Sequence, residues 1–463
     1  MSEKQVEYDR DATPMPTLAN YIANALSMPL PAEVVEKGKY HILDTLSSMV
    51  SGSRMLAGER AIAFVQAQGQ SEPQATVAGT ALRSTAINAA MANGMFAHAD
   101  ETDDSHAPSL THPGCGVIPA ALAAAELWSR SGTEMLRAVV LGYDICSRLT
   151  MSLDAYAFRV AAHSTHTFGP NFGAAASAGA LAGLDTQQAR YLMSYAAQQA
   201  SGVACWMRDK DHVEKSFDFG GMGARNGMTA ALMVACGCTG VDDVFSGQRN
   251  FYDAYGDQPD RSGLGRELGS RFEILDTAIK RWTVGSPIQA PLDAMDTLIR
   301  THGFGADDVQ AVTVRIPHQM VVTVDNREMP EICIQHILAT LIVDGAMGFA
   351  SAHNRLRMTD PEVLAVRRRI TLLGDDELSR AMPNRQGIVE VRLRDGRQLR
   401  EHVCAVRGTP GNPMTRQELD EKSLELLVPV LGAGQSKRLC AAVWEIERVA
   451  DARQFAALLR TAA

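Results

Sequence analysis

A mainly α-helical protein, with a large all-helical domain built from both chain ends and an inserted α+β module, is the fold class this sequence predicts. Three observations carry it. Apolar residues recur at three- and four-residue spacing from Thr17 to about Asp276, the period changes to two beyond that point, and helical spacing returns after Val406. With 463 residues the chain is also long enough for two cores, since single cores stop growing near about 250–300 residues.

Leu18, Tyr21, Ile22 and Leu26 mark the first helix, and Val34, Val35, Gly38, Ile42 and Leu46 the second. The stretches Gly173 to Gly183 and Gly223 to Cys238 are rich in Ala and Gly, which lets helix axes approach closely and predicts central, buried helices. Val309 to Ile316 alternates as a strand does, and Ile388 to Arg394, Asp395-Gly396 and Arg397 to Val403 read as a hairpin. A helix over Ile332 to Phe349 separates these strands. After the punctuation of Gly408 to Pro413, helices are expected over Arg416 to Leu431 and Lys437 to Leu459. The domain expectation is therefore 1–275 with 405–463 for the helical part and 276–404 for the α+β part.

Composition excludes several classes of function. A formal net charge of −9, with no dense Lys/Arg block, opposes binding to nucleic acid or to an anionic membrane surface. No apolar run approaches the roughly 18–20 residues that span a bilayer, and the first ten residues carry acids and lack the apolar core of a signal peptide. A cytoplasmic address is expected. The eight cysteines are scattered, without a C-x-x-C pair or a zinc-ligand cluster, and read as mostly buried thiols.

The densest polar segment runs from His98 through Asp100, Glu101, Asp103, Asp104, Ser105 and His106 to His112-Pro113-Gly114. Four acids and three histidines lie within about fifteen residues between two apolar helices, and a carboxylate beside an imidazole supplies an acid or a base near neutral pH. A series of helix caps facing water is the competing explanation. Carboxylate ligation of a divalent metal is disfavoured because the acids crowd one loop without an octahedral set.

Further along, His163-Ser164-Thr165-His166 enters the small-residue helix, and Lys215 and Arg225 flank the glycine-rich Phe217 to Gly223. Gly221-x-Gly223 is a poor dinucleotide loop, because no strand precedes it and there is no βαβ setting, so a nicotinamide oxidoreductase is set aside. A glycine-rich turn that brings Lys215 and Arg225 to a carboxylate-bearing ligand fits the residues better. Lys280 and Arg281 are cations in an apolar entry to a helix, and His336 stands on an apolar helix face, where a satisfied core imidazole is the competing reading.

Taken in order, the segments resemble the MmgE/PrpD family. The matching stretches are Leu43 to Leu46, His98 to His106 with His112-Pro113-Gly114, Leu141 to Asp144, His163 to Thr165, Lys215 to Gly227, Ile279-Lys280, Asp344-Gly345 and Asn412 to Met414. The resemblance implies a helical domain with an inserted α+β lid, a homodimer, and a site between the domains that needs neither metal nor organic cofactor. It assigns the acidic-loop roles to Asp100, Ser105 and His112, the helix-entry histidine to His163, and the two lysines to Lys215 and Lys280. Asp100, Asp103 and Asp104 compete for one role, because the loop is one residue longer than the family's usual form, and His336 falls where cis-aconitate decarboxylase looks to have a tyrosine.

The expectation is a cofactor-independent dehydratase acting on a small hydroxy-polycarboxylic acid of the 2-methylcitrate or citrate type. Asp100, Asp104, Ser105, His112, His163 and His336 are its candidate catalytic residues, and Lys215, Arg225 and Lys280 its candidate substrate contacts. Decarboxylation of a cis-aconitate-like acid or epimerisation of an amino or imino diacid uses the same constellation. A non-catalytic binding protein is the rival of another class.

Overall fold

A computed structural model describes residues 13–69 and 72–462. The N-terminal ten residues, which carry the expectation about a leader, lie outside them. The chain is mainly helical, with only small sheets. It divides into two compact units: Met1–Ala99, Asp103–Thr277 and Leu426–Ala463 form one, and Asp100–Thr102 with Ala278–Glu425 the other.

In the first unit, helices Met15–Asn24 and Ala32–Gly52 follow the apolar spacing of the sequence, with Leu18, Ile22, Val34, Ile42 and Leu46 fully buried. Helix Gly132–Ser152 opens with a reciprocal cap in which Ser131 Oγ accepts from the Glu134 amide and the Glu134 carboxylate accepts from the Ser131 amide. Helix Thr165–Ala182 packs against Pro113–Leu127, Gly132–Ser152 and Met222–Ala235. Small residues make that possible: a Cβ on Gly173 would stand 2.5 Å from the Gly142 carbonyl oxygen. Two features escaped the sequence reading. Residues Ala75–Thr76 (β1) and Arg83–Ser84 (β2) form a small antiparallel pair. The single helix expected over Lys437 to Leu459 is broken into Ala433–Trp444, the turn Ile446–Arg448, Ala452–Ala456 and Ala457–Leu459, because the Asp451 side chain caps a new start at the Arg453 amide.

The second unit contains a four-stranded sheet. Strands β3 (Val309–Pro317), β4 (Ile370–Asp375), β5 (Gly387–Leu393) and β6 (Gln398–Val403) are ordered β4-β3-β5-β6. The β3/β4 pair is parallel and the other two pairs are antiparallel. The hairpin turn at Asp395-Gly396 has Gly396 at φ 91°, a conformation that glycine adopts without a side-chain penalty. Val312, Val314 and Ile316 point from one face of β3 into a core shared with Leu292, Met295 and Leu298 of helix Gln289–His302 and Ile337, Leu338 and Leu341 of helix Ile334–Asp344. That second helix ends at Asp344, short of the expected Phe349, because Gly345 takes a left-handed φ of 72° as its cap. Strand β4 was missed: its burial is irregular, so it gives no clean alternation. The boundary between the units falls inside helix Arg416–Leu431, downstream of residue 405.

Candidate active site

The acidic loop is buried. His98, Asp103 and Asp104 are fully inaccessible, and His112 is 7% exposed. In the first unit the two adjacent carboxylates of this loop head two separate networks.

Asp103 Oδ2 lies 2.9 Å from His98 Nδ1 and 3.1 Å from His112 Nδ1, so one carboxylate oxygen serves two imidazoles. Cys115, one turn into the helix begun by Pro113, donates its thiol to the His112 carbonyl at 3.1 Å and the Phe219 carbonyl at 3.3 Å. Burial, followed by the charges of Asp103 and Asp104, pushes that thiol well above its ordinary pKa and keeps it protonated.

Rings surround the pair. Phe219 stacks on His98 at 4.0 Å and on His166 at 3.8 Å between centroids, and His112 lies 5.1 Å from His98 and 5.2 Å from His166. Trp206 stands edge-on to Phe219 at 4.7 Å. The Lys215 ammonium is 5.2 Å from the Phe219 ring and 5.7 Å from the Trp206 ring, within the range of a cation–π contact. Burial and then the neighbouring His112, Arg159, His98 and Lys215 hold the His166 pKa well below its ordinary value, so this imidazole is neutral.

Backbone geometry explains how Phe219 and Lys215 reach this place. Val213–Ser216 is a short α-turn, Phe217–Gly221 is a π-helical turn, and helix Met222–Ala235 follows. A π turn rotates the residues before it relative to those after it, and such turns recur at functional positions. Gly220 is required there by close approach: a Cβ would sit 2.1 Å from the Gly94 carbonyl oxygen. Asp218, in the same turn, accepts from Ser164 Oγ at 2.5 Å, and Ser164 Oγ accepts from Trp206 Nε1 at 3.2 Å. Burial raises the Asp218 pKa to about 6 despite the Ser164 bond.

Asp104 is held differently. Its Oδ2 accepts from Tyr143 Oη at 2.5 Å and meets His41 Nδ1 at 2.7 Å, and its Oδ1 accepts from the Gly114 amide at 3.0 Å. Burial lowers the His41 pKa and raises the Tyr143 pKa, so both partners stay neutral.

Of the residues singled out in the sequence, His112 and Lys215 therefore lie around Phe219 in the first unit. Asp104 belongs to the neighbouring network, and Ser105 is buried in the same loop. His163 does not join them: it stacks on Phe158 at 4.4 Å and lies 6.0 Å from Phe168 and from Tyr255. His163 precedes the Ser164 cap and faces away, whereas His166 is inside the helix and stacks on Phe219. Arg225 lies over Phe217 at 5.4 Å and donates to Asn226 Oδ1.

Asp100, Lys280 and His336 are in the second unit. Asp100 Oδ1 accepts from the Thr102 amide at 3.1 Å. Lys280 Nζ donates to the Glu101 carbonyl at 2.7 Å and lies 3.3 Å from Glu101 Oε2. His336 is fully buried, neither ring nitrogen has a hydrogen-bond partner among the described residues, and burial lowers its pKa to about 4.

Asp103 is one of the three acids that compete for the loop role in the sequence; His98, His166, Phe219 and Trp206 join it in the cluster without having been singled out as candidates. His98 and Asp103 were visible in the loop as types. Helix phase at His166 and the π turn at Phe219 leave no sequence signal. A cavity of about 190 Å³ elsewhere in the first unit is lined by Arg148, Arg266, Arg271, Asp260 and Glu273 among others. Those arginines pair with Glu273 and Asp260, and the cavity touches none of the cluster residues.

Comparison with known families decides what this arrangement belongs to. The model of the MmgE/PrpD N-terminal domain matches residues 16–263, and that of the MmgE/PrpD C-terminal domain matches residues 282–447. The chain belongs to the MmgE/PrpD family. Among its MmgE/PrpD relatives, a cis-aconitate decarboxylase-like protein of Aspergillus oryzae is 24% identical over 477 residues, covering 96% of each chain. A cis-aconitate decarboxylase of Aspergillus terreus is 24% identical over 484 residues, covering 96% of this chain and 95% of its own. Among the described residues of this MmgE/PrpD protein, no helix is long and apolar enough to cross a membrane.

Proposed function

We propose that this MmgE/PrpD protein is a cofactor-independent lyase that removes a proton beside a carboxylate of a small polycarboxylic acid. The observation that carries the reading is the Asp103–His112 pair, with His98 on the same carboxylate oxygen and Lys215 over the adjoining Phe219 ring. With Asp103 ionised, the His112 Nδ1 proton is held by the carboxylate and Nε2 is left as the base.

A carbon-bound proton next to a carboxylate is weakly acidic, so its removal needs a cation where charge develops as well as a base. Lys215 is the proposed contact in the helical unit. Lys280, engaged by Glu101, is carried forward from the family resemblance as a second contact, to be tested by its own substitution.

The proposed reaction is dehydration: His112 takes the proton, an acid protonates the leaving hydroxyl, and water and an unsaturated acid are released. His336, in place of the tyrosine that cis-aconitate decarboxylase looks to carry, favours a reaction other than that enzyme's. The second reading, decarboxylation of a cis-aconitate-like acid, is favoured by the names of the two relatives and their full-length coverage. A homodimer is proposed on the family resemblance, with sedimentation equilibrium as its check.

Incubating the protein with citrate, methylcitrate and cis-aconitate in deuterium oxide, followed by proton NMR, separates the readings. Loss of water supports the hydro-lyase, and loss of carbon dioxide supports the carboxy-lyase. Turnover that survives His112→Ala and Lys215→Ala unchanged would overturn the assigned site in either case.

A further inference from the structure

We propose that His98, Asp103 and Cys115 form a binding site for a borderline-soft divalent cation, Zn²⁺ above all, and that filling it blocks the active site. The inhibitory half rests on the proposed role of the Asp103–His112 pair; the binding half does not.

The three residues each offer one ligand atom, and these atoms lie within 4.8 Å of one another. All three side chains are fully buried. On a tetrahedral Zn²⁺, with Zn–N and Zn–O near about 2.0–2.2 Å and Zn–S near about 2.3 Å, ligand atoms stand roughly 3.3–3.7 Å apart. A contraction of about 1 Å, within reach of side-chain rotation at Cys115 and His98, therefore closes the set.

The donor types also select the ion. One imidazole nitrogen, one carboxylate oxygen and one thiolate sulfur suit zinc, whereas Mg²⁺ and Ca²⁺ prefer six or more oxygens. Binding exchanges a proton for the metal: the Cys115 S–H bond breaks, a Zn–S bond forms, and the proton leaves to solvent with no change of oxidation state. His98 Nδ1 shares its proton with Asp103 in the metal-free protein, so ligation through that nitrogen moves the proton to Nε2, and the imidazole stays neutral with no proton lost to solvent.

The cost to the enzyme follows from the shared oxygen. Asp103 Oδ2 is the atom that holds His112 Nδ1. A cation at Asp103 withdraws that negative charge and releases His112 from its tautomer and orientation. The resident thiol thus makes the base centre sensitive to zinc without making zinc part of the reaction.

The test is isothermal titration of the full chain with ZnCl₂, alongside MgCl₂, for the parent protein, Cys115→Ser, Cys115→Ala, Asp103→Asn, and a control in which Cys236, Cys238 and Cys404 are all replaced by serine. One Zn²⁺ per chain is expected for the parent and for the triple control, with affinity at least about tenfold weaker in both Cys115 variants and in Asp103→Asn. Circular dichroism checks that each variant is folded, and Cys115→Ser, nearly isosteric, keeps the test decisive if Cys115→Ala is not. Zinc binding that is unchanged in Cys115→Ser, that vanishes in the triple control, or that is no tighter than Mg²⁺ overturns the site. With an acid the parent turns over, inhibition by Zn²⁺ should be relieved at least about tenfold in Cys115→Ser. Tight one-to-one binding at Cys115 without inhibition would leave the metal site standing and remove the assigned base instead.

Discussion

Asp103 and Asp104 are chain neighbours, equally buried, and each bonded to histidine, yet they sit in centres of opposite character. Asp104 has a backbone amide, a tyrosine and one histidine as partners, drawn from helices Ala32–Gly52 and Gly132–Ser152 and from the helix start at Gly114. Every contact it makes ties one element to another. Asp103 instead holds two imidazoles beside Phe219, with the Lys215 ammonium 5.2 Å from that ring. Burial and a histidine partner, which both carboxylates have, therefore leave a carboxylate's role open. On the function proposed above, what separates the two is where their imidazoles stand: His41 is tied into the helix framework with Tyr143, whereas His98 and His112 pack around Phe219.

Neutralising each carboxylate in turn separates the two centres. Asp103→Asn preserves volume but offers His112 an amide in place of an anion, so its tautomer is no longer fixed. A fall in kcat of about 10²–10⁴ is expected, the range of a lost acid–base partner, with little change in the unfolding midpoint. Steady-state kinetics on the acid identified by NMR, paired with urea unfolding, checks both halves. An Asp103→Asn enzyme with full kcat would show that Asp103 is framework too.

Asp104→Ala should show the reverse. It strands the Tyr143 hydroxyl, the His41 imidazole and the Gly114 amide in a dry interior, and a loss of about 3–5 kcal/mol in unfolding free energy is expected. If that variant folds with parental stability but is inactive, Asp104 moves to the chemical side. A smaller cut at the same centre, Tyr143→Phe, removes a single donor and should cost about 1–3 kcal/mol with the rate per folded molecule retained.

How far the sequence foretold this contrast depends on the range of the interactions. The helical class, the strands β3, β5 and β6, and the membership of the family were legible, because periodicity, turn residues and ordered motifs are local or linear signals. The loop of four acids and three histidines was legible as a place. What surrounds each acid was not, since Asp104's partners His41 and Tyr143 lie 63 and 39 positions away and the imidazoles on Asp103 pack against Phe219 and His166 from distant segments. Helix phase separates His163 from His166: Ser164 is the cap, the two histidines lie on opposite sides of it, and only His166 stacks on Phe219. The π turn at Phe217–Gly221 was invisible because the glycines that permit it read equally well as a loop.

Holding an imidazole neutral in the Phe219 cluster has a small cost that depends on pH. Burial and the surrounding positive groups lower the His166 pKa, so the native state keeps this ring neutral while the unfolded chain protonates it near an ordinary value of about 6.5. A folded pKa below the unfolded one means stability that is present above the unfolded pKa and lost as pH falls. Between pH 7 and pH 6 a single such histidine removes about 0.7 kcal/mol of unfolding free energy. Asp218 works in the other direction over the same interval, since burial lifts its pKa to about 6 and its protonation favours the folded state as pH falls. Comparing the parent with His166→Phe cancels that background, because phenylalanine keeps the stack on Phe219 and cannot titrate. Urea unfolding at the two pH values should show a decline about 0.7 kcal/mol smaller in the variant; an identical decline would mean that His166 takes up its proton alike in the folded and unfolded chain and that the aromatic surroundings do not hold it neutral.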